Sequence, residues 1–477
     1  MSNPQQRCPH LNLQVEPSPY AKEVGFEWQS VARRHAATTK SGRSGHTAAS
    51  RTRSAAGGDL TGTAASGLPL SFPAPLVLPD DDLAWDPKHP SQSFRSWMQE
   101  KRRNKPTEDR KVLYVAAVPE TTTGVPFMKD WLQPDVSGGK SAGTKGRSAK
   151  TPQSHTILPS TTCEDVISYL GAFYHGMLVK PFPHRLRFVP WEEPKPKKTK
   201  PRRRNTSLNA EYVGLATEDS ATRIHARPSP DGVFKGQLNL DDILDAAIEM
   251  LPVDAYALLL LIDHDMYEDE DDDFCCGRAY GGSRVAVVSS SRYHPVLDER
   301  LDIDYAHMWP ESHCKSYVEG VCAAWDNGVE SPQLGNPSTT VAIISPLRAA
   351  TDAARDVITP TSRDALHALW FSRLARTVAH ELSHCFGIGH CVYYACIMQG
   401  TAGMAEDVRQ PPYLCPVCLS KLSHAVACEL QGRDDQGKEA YIQERYRAIA
   451  GFCDGWKNNG LFTGYGAWVR ARLELLQ

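Results

Sequence analysis

The sequence predicts an α/β fold, on three observations. Continuous apolar runs of strand length recur along the chain, amphipathic helical segments stand between them, and one long helical stripe ends in a dense cluster of histidines and cysteines. The first run, Lys111–Val118 (KVLYVAAV), is apolar on both faces, as a strand buried inside a sheet must be. Thr162 and Asp165 then form a capping-box-like pair, opening a helix with Val166, Leu170, Phe173 and Met177 on one face and a limit set by Pro181. Arg185–Val189 reads as a second short strand. Asn239 caps an amphipathic helix that turns Leu240, Ile243, Leu244, Ala247, Ile248 and Leu251 inward, and it leads into a central strand at Tyr256–Asp263 and another at Arg284–Ser290. From Thr361 a long helix carries the stripe Leu366, Trp370, Leu374, Val378 and Leu382. His380 and His384 stand about 200° around the axis from Val378 and Leu382, so one face packs on the core and the opposite face meets a cleft.

The flanks read differently. Residues 1–75 are rich in Ser, Thr, Ala, Gly and Arg without periodicity, which predicts a disordered basic tail. Residues 76–428 form the folded domain, with inserted loops near 137–155, 192–235 and 295–360, and residues 429–477 add C-terminal helices, at Tyr441–Trp456 and Ala467–Leu476, outside the metal core. Ser91–Lys101 is expected to be a short amphipathic helix with Phe94 and Trp97 together. Lys195–Arg204 is basic and broken by prolines, an exposed insertion whose default is a solvated linker and whose sharper reading is a nuclear-import or polyanion patch. Six consecutive acids at Glu268–Asp273 have the wrong spacing for a calcium loop and predict a solvated loop. Cys314 and Cys322 read as thiols in an insertion in preference to a third metal site.

Composition narrows the function classes. A net charge of −3 gives no chain-wide field for nucleic acid or membrane, which leaves the basic insertion as the one route to nucleic acid. Thirteen cysteines is an odd number, and four of them share a metal-type spacing, so a disulfide framework is not the simplest reading and a reducing compartment is expected. No signal-peptide core opens the chain, and the longest apolar run, Ala255–Ile262, is far short of the roughly 18–20 residues of a membrane helix. A monomeric, intracellular protein, cytoplasmic or nuclear, is the expectation.

The chemistry concentrates between His380 and Cys418. His380 and His384 lie four apart on a helix and can share one metal ion, with Glu381 beside them: the HExxH pattern of two zinc-binding histidines and a proton-handling glutamate. Gly387 can stop the helix. Without that stop, His390 would sit about 9 Å further along the axis and a third of a turn away, out of reach of the same ion. Three histidines with an open fourth position are a catalytic zinc set, and Cys391, Cys396, Cys415 and Cys418, spaced Cx4C and CxxC, are a closed structural one.

These residues spell HExxHxxGxxHCx4CxM followed by CxxC, and the stretch resembles the archaemetzincins, metzincin-type zinc peptidases; CIMQG and LCPVCLSKL look most like eukaryotic members. The resemblance implies a zinc metallopeptidase with two zinc ions per chain. His380, His384 and His390 would hold the catalytic ion, Glu381 would be the general base acting on a zinc-bound water, and Met398 would be the Met-turn methionine. The fold expected is a mixed twisted sheet with a backing helix, an active-site helix and a small zinc-bearing C-terminal subdomain. Peptide or protein substrate would pair with a strand at the cleft, a role the resemblance assigns to Val285–Val288. No Tyr follows Met398 to serve as an auxiliary ligand, so the oxyanion donor stays unassigned. The competing class is a catalytically inactive, zinc-stabilised binding protein that uses the four-cysteine site and the basic insertion to recognise a partner or nucleic acid; Glu381 is the residue it would not need.

Overall fold

A computed structural model describes residues 10–44, 71–136, 158, 160–191, 211–327, 345–357 and 359–477. The expected loop at 137–155 and the basic run 195–204 lie outside the described residues. The strands, in chain order, are β1 (Val112–Ala116), β2 (Glu120–Thr121), β3 (Leu178–Pro181), β4 (Arg187–Pro190), β5 (Tyr212–Ala216), β6 (Ala221–Arg227), β7 (Gln237–Asn239), β8 (Ala255–Ile262), β9 (Asp265–Tyr267), β10 (Gly277–Tyr280) and β11 (Val285–Ser289). They form two sheets. The principal one has the order β10-β11-β8-β1-β3 and the other β2-β4-β5-β6-β7-β9. In the principal sheet β3, β1, β8 and β11 run parallel, and only β10 is antiparallel.

The β8 sequence AYALLLLI shows why it is central. Alternate residues face opposite sides of a strand, so Ala257, Leu259 and Leu261 enter the main core, while Leu258, Leu260 and Ile262 enter a second core. Both faces are covered, as a parallel sheet requires. The main core holds the helices Cys163–Phe173 and Arg363–Cys385; the second holds the helix Leu240–Glu249 and residues of the other sheet. The local signals were good guides here. Thr162 caps its helix by accepting from the Asp165 N–H at 3.1 Å, and Asn239 does the same for Asp242 at 3.0 Å. The helix Phe94–Gln99 buries Phe94 and Trp97 as expected.

Four expectations are corrected. Within the tail expected to be disordered, residues 10–44 carry the helices Pro19–Glu23 and Val31–Ala37, and residues 71–78 are buried against the rest of the chain. This segment has no core of its own but docks on one: Trp28 Nε1–H donates to the Tyr393 carbonyl at 2.6 Å, and the Arg34 guanidinium lies 3.4 Å from the Trp28 ring centroid. A local window of sequence cannot show such a partner. The described part of the 192–235 insertion forms β5 and β6, where Ile224 and Ala226 point inward from otherwise polar alternation. The 295–360 insertion contains the helices Lys315–Asn327 and Pro346–Arg355, the latter packed against the final helix. The terminal helices, Asp435–Asp454 and Gly460–Leu475, are not outside the metal core: Trp468 stacks on Tyr413 with centroids 4.3 Å apart, in the same cluster as Cys415 and Cys418.

Candidate metal centres and cleft

The helix Arg363–Cys385 opens on Ser362, whose side chain accepts from the Ala365 N–H, and buries Trp370, Leu374, Val378 and Leu382. Its far end places His380 and His384 on one face, with ring centroids 4.8 Å apart. Gly387 ends it at φ +72°, and its N–H donates to the His384 carbonyl at 2.8 Å. That left-handed residue favours glycine, and a Cβ there would also meet Arg103 Cγ at 2.9 Å. The turn brings His390 back, its ring 5.3 Å from that of His380 and 5.1 Å from that of His384.

Hydrogen bonding fixes the ring states. His380 Nδ1 lies 2.6 Å from the Ile397 carbonyl and His384 Nδ1 2.7 Å from the Ile388 carbonyl. A carbonyl can only accept, so both Nδ1 atoms carry protons and both Nε2 atoms carry lone pairs. Those two Nε2 atoms face each other at 3.1 Å. Two lone pairs at that distance repel, and a cation between them removes the conflict. Burial first, then the neighbouring rings, lowers His380, and the same causes push His384 down to about 4; burial lowers His390 as well. Neutral imidazoles are the ligand form. The donor set therefore fits a zinc-type ion.

Two residues invisible to the motif support this site. Asp82 lies beside His390: a Cβ at Gly400 would strike the Asp82 carboxylate and come within 3.1 Å of His390 Nδ1. Gly281 packs so closely on the helix that a Cβ would strike the His384 carbonyl. Neither carries a motif letter. Met398 is fully buried, and its carbonyl accepts from the Cys391 N–H at 2.7 Å, one residue beyond the carbonyl that holds His380.

His380, Glu381 and His390 line a cleft of about 550 Å³, whose walls include Asp271–Gly277 and Gln399–Met404. Part of the acidic run expected to be a solvated loop thus forms a wall of the cleft. Arg227 anchors that run, donating to the backbone carbonyls of Asp269 and Glu270. Glu381 is 8 % exposed, and its carboxyl is pushed up to about 8 by burial. Arg376, one turn before His380, also lines the cleft, but its guanidinium is engaged with the carboxylate and carbonyl of Asp407. The strand expectation changes here too. Val285–Val288 belong to β11, which is paired on both sides, by β8 and by β10. Among the described residues the sheet edge next to the cleft is β10, because the turn at Gly281–Ser283 folds residues 277–280 back beside β11.

The cysteines form a separate centre. Cys391, Cys396, Cys415 and Cys418 are all buried, with sulfurs within 4.8 Å of one another. Cys391 and Cys415 Sγ lie 3.5 Å apart, too far for a disulfide of about 2.05 Å. Cys415 is the cap residue of the helix Pro416–Ser423 and places Cys418 in its first turn, where the helix dipole favours a thiolate. Its N–H donates to Cys396 Sγ at 3.2 Å. Hydrogen bonds from the other three cysteines hold Cys391 well below the usual thiol range, while burial raises Cys396 and Cys415. Four crowded sulfurs that cannot all ionise alone fit a divalent cation.

The profile of peptidase family M54 matches residues 359–424, the stretch that contains both ligand sets. Among curated proteins, the chain is 28 % identical over 216 residues to archaemetzincin-1 of Homo sapiens, covering 44 % of this chain and 35 % of that protein. It is 26 % identical over 237 residues to archaemetzincin-2 of Macaca fascicularis, covering 49 % and 51 %. The chain thus matches about a third to a half of the length of these relatives. The solved archaemetzincin of Methanopyrus kandleri aligns with 67 % of this chain and 98 % of its own, at 13 % identity and a TM-score of 0.30. The family segment lies across both clusters and similarity to archaemetzincins extends beyond it, so the chain is similar to the archaemetzincins of peptidase family M54 over this part of its length.

Proposed function

We propose that the chain is a zinc-dependent metallopeptidase. One observation carries the reading: two partly buried imidazoles aim unprotonated Nε2 atoms at each other across 3.1 Å, and one of them, His380, lines an open cleft together with Glu381 and His390. A zinc ion, when bound by His380, His384 and His390, supplies Lewis acidity that activates water and polarises a peptide carbonyl. The Glu381 carboxylate, as general base, takes a proton from the attacking water and returns it to the leaving nitrogen as the C–N bond breaks. Extended substrate lies along the outer edge of β10, Gly277–Tyr280, whose backbone groups bind without selecting a sequence.

Cys391, Cys396, Cys415 and Cys418 hold a second zinc that is structural, giving two ions per chain in these centres. Such a thiolate site supports a reducing, intracellular setting. The test is cleavage of a broad peptide library by zinc-loaded protein. Cleavage by the parent that disappears in Glu381→Gln sustains the reading; a fully loaded parent that cleaves nothing replaces it with a zinc-stabilised binding protein.

A further inference from the structure

Away from both centres, a third set of ligand-type side chains meets where the N-terminal segment crosses residues 304–314. His10, His307 and Cys314 bring a ring nitrogen each and a sulfur within 4.8 Å of one another. Each histidine has one nitrogen already engaged. His10 Nε2 is 2.9 Å from the Ala306 carbonyl, so it carries the proton and donates. His307 Nδ1 is 2.6 Å from Asp304 Oδ2 and donates to that carboxylate, the arrangement that orients a metal-binding histidine and raises its basicity. Of the other nitrogens, His10 Nδ1 is buried and makes no hydrogen bond, while His307 Nε2, also buried, is left facing the Cys314 sulfur, which also lies 3.3 Å from Ser316 Oγ. His10 is 5 % exposed and Cys314 1 %.

A buried polar atom left without a partner is destabilising, because it has given up its water and gained nothing in return. A hydrogen bond between His307 and Cys314 would relieve one of the two nitrogens and leave His10 Nδ1 as it is. A cation satisfies both and also uses the sulfur. Two imidazoles and one thiolate are a donor set for zinc, whose ligand bonds of about 2.0–2.3 Å require only a modest closing of the cluster. The backbone is arranged to hold His10 in place. It sits at φ +48°, a left-handed conformation that is unfavourable for a non-glycine residue. Arg348 holds it there by donating to the carbonyls of His10 at 2.7 Å and Leu11 at 2.6 Å. Next to it, the Gln14 N–H donates to the His313 carbonyl and the Lys315 N–H to the Asn12 carbonyl, at 2.7 and 2.9 Å.

We propose that His10 Nδ1, His307 Nε2 and the Cys314 sulfur bind a third zinc ion, which ties the N-terminal segment to the 304–314 segment. The site is independent of the peptidase reading and has no role in the chemistry. It would make the order of residues 10–15 depend on metal, and so would explain how a composition that reads as a tail is held against the domain.

The test reads a difference in zinc content between full-length proteins purified in zinc-supplemented medium, so an error in the number of ions at the other two centres does not affect it. His10→Gln, which keeps a hydrogen-bonding side chain but removes the imidazole, and Cys314→Ser should each hold one zinc per chain fewer than the parent. His10→Cys, which restores a ligand, should return to the parental number. A packing role alone would leave zinc content unchanged in all three. Should Cys314→Ser fail to fold, the two His10 variants decide. Equal zinc in the parent and in His10→Gln overturns the proposal.

Discussion

His390 and Cys391 are neighbours in the chain, yet they belong to two centres with opposite surroundings. The three histidines are partly exposed, and His380 and His390 line a cleft; the four cysteines are sealed in the main core among Tyr413, Trp468 and the terminal helices. One loop serves both. Its Ile397 carbonyl holds His380, and its Met398 carbonyl accepts from Cys391. The difference teaches what each donor set is for. Three neutral nitrogens beside a cleft leave a coordination side for substrate and an uncompensated charge to act on it, whereas four buried sulfurs leave no side open and can only tie chain segments together. The contrast predicts that damage to the first centre stops chemistry, and damage to the second stops folding.

The largest effect should come from the ligands and base at the cleft. His384→Ala should lose the histidine-bound ion and all cleavage. Glu381→Gln should retain every ion and the parental melting temperature, because the amide has nearly the same shape, and yet lose cleavage by about 10²–10⁴-fold. Metal analysis beside peptide assays separates the two outcomes, and parental cleavage by Glu381→Gln would place the activity elsewhere. The second largest effect belongs to Cys418→Ser. A structural zinc contributes its binding energy to folding, so soluble yield and thermal stability should collapse together. A Cys418→Ser protein as stable as the parent would remove the structural role. A smaller effect should appear in timed chelation: the histidine-bound ion should leave first, and cleavage should vanish while the far-ultraviolet circular dichroism is unchanged. Loss of structure at the same rate as activity would erase the distinction between the centres.

The histidine and cysteine clusters were legible because metal chemistry demands fixed letters at fixed spacings, and Gly387 was legible because only a helix stop could return His390. The buried strands β1 and β8 were legible as continuous apolar runs. What escaped depends on contacts distant in sequence. Asp82 and Gly281 touch the site from segments roughly 300 and 100 residues away in the chain, with no periodicity to mark them. The edge strand was misplaced because Val285–Val288 is the more apolar run, and apolarity reports burial; the edge, GRAY at 277–280, is a short mixed run that is only half-buried, with no pattern to mark it as a strand. The docked segment 10–44 was read as disordered because its apolar partners, such as Tyr393 and Tyr394, lie more than 300 residues away.

The smallest predicted effect tests the turn inside the histidine centre. Gly387 takes φ +72° between His384 and His390, and the Ile388 carbonyl that follows it orients His384. Alanine there adds a left-handed penalty of roughly 1–2 kcal/mol, and its Cβ must displace the Arg103 side chain, which is paired with Glu429. Relaxing that strain shifts the turn and with it the relation of His390 to the helix pair. Cys415 and Cys418 sit on a different segment, and Cys391 stays tied to Met398, so the cysteine centre has less reason to change. Gly387→Ala should therefore lower the melting temperature by a few degrees, shed the histidine-bound ion to chelator faster than the parent, and keep the cysteine-bound ion at the parental rate. Equal acceleration at both centres would show that the shared loop moves as one body and that the two sites are not separable.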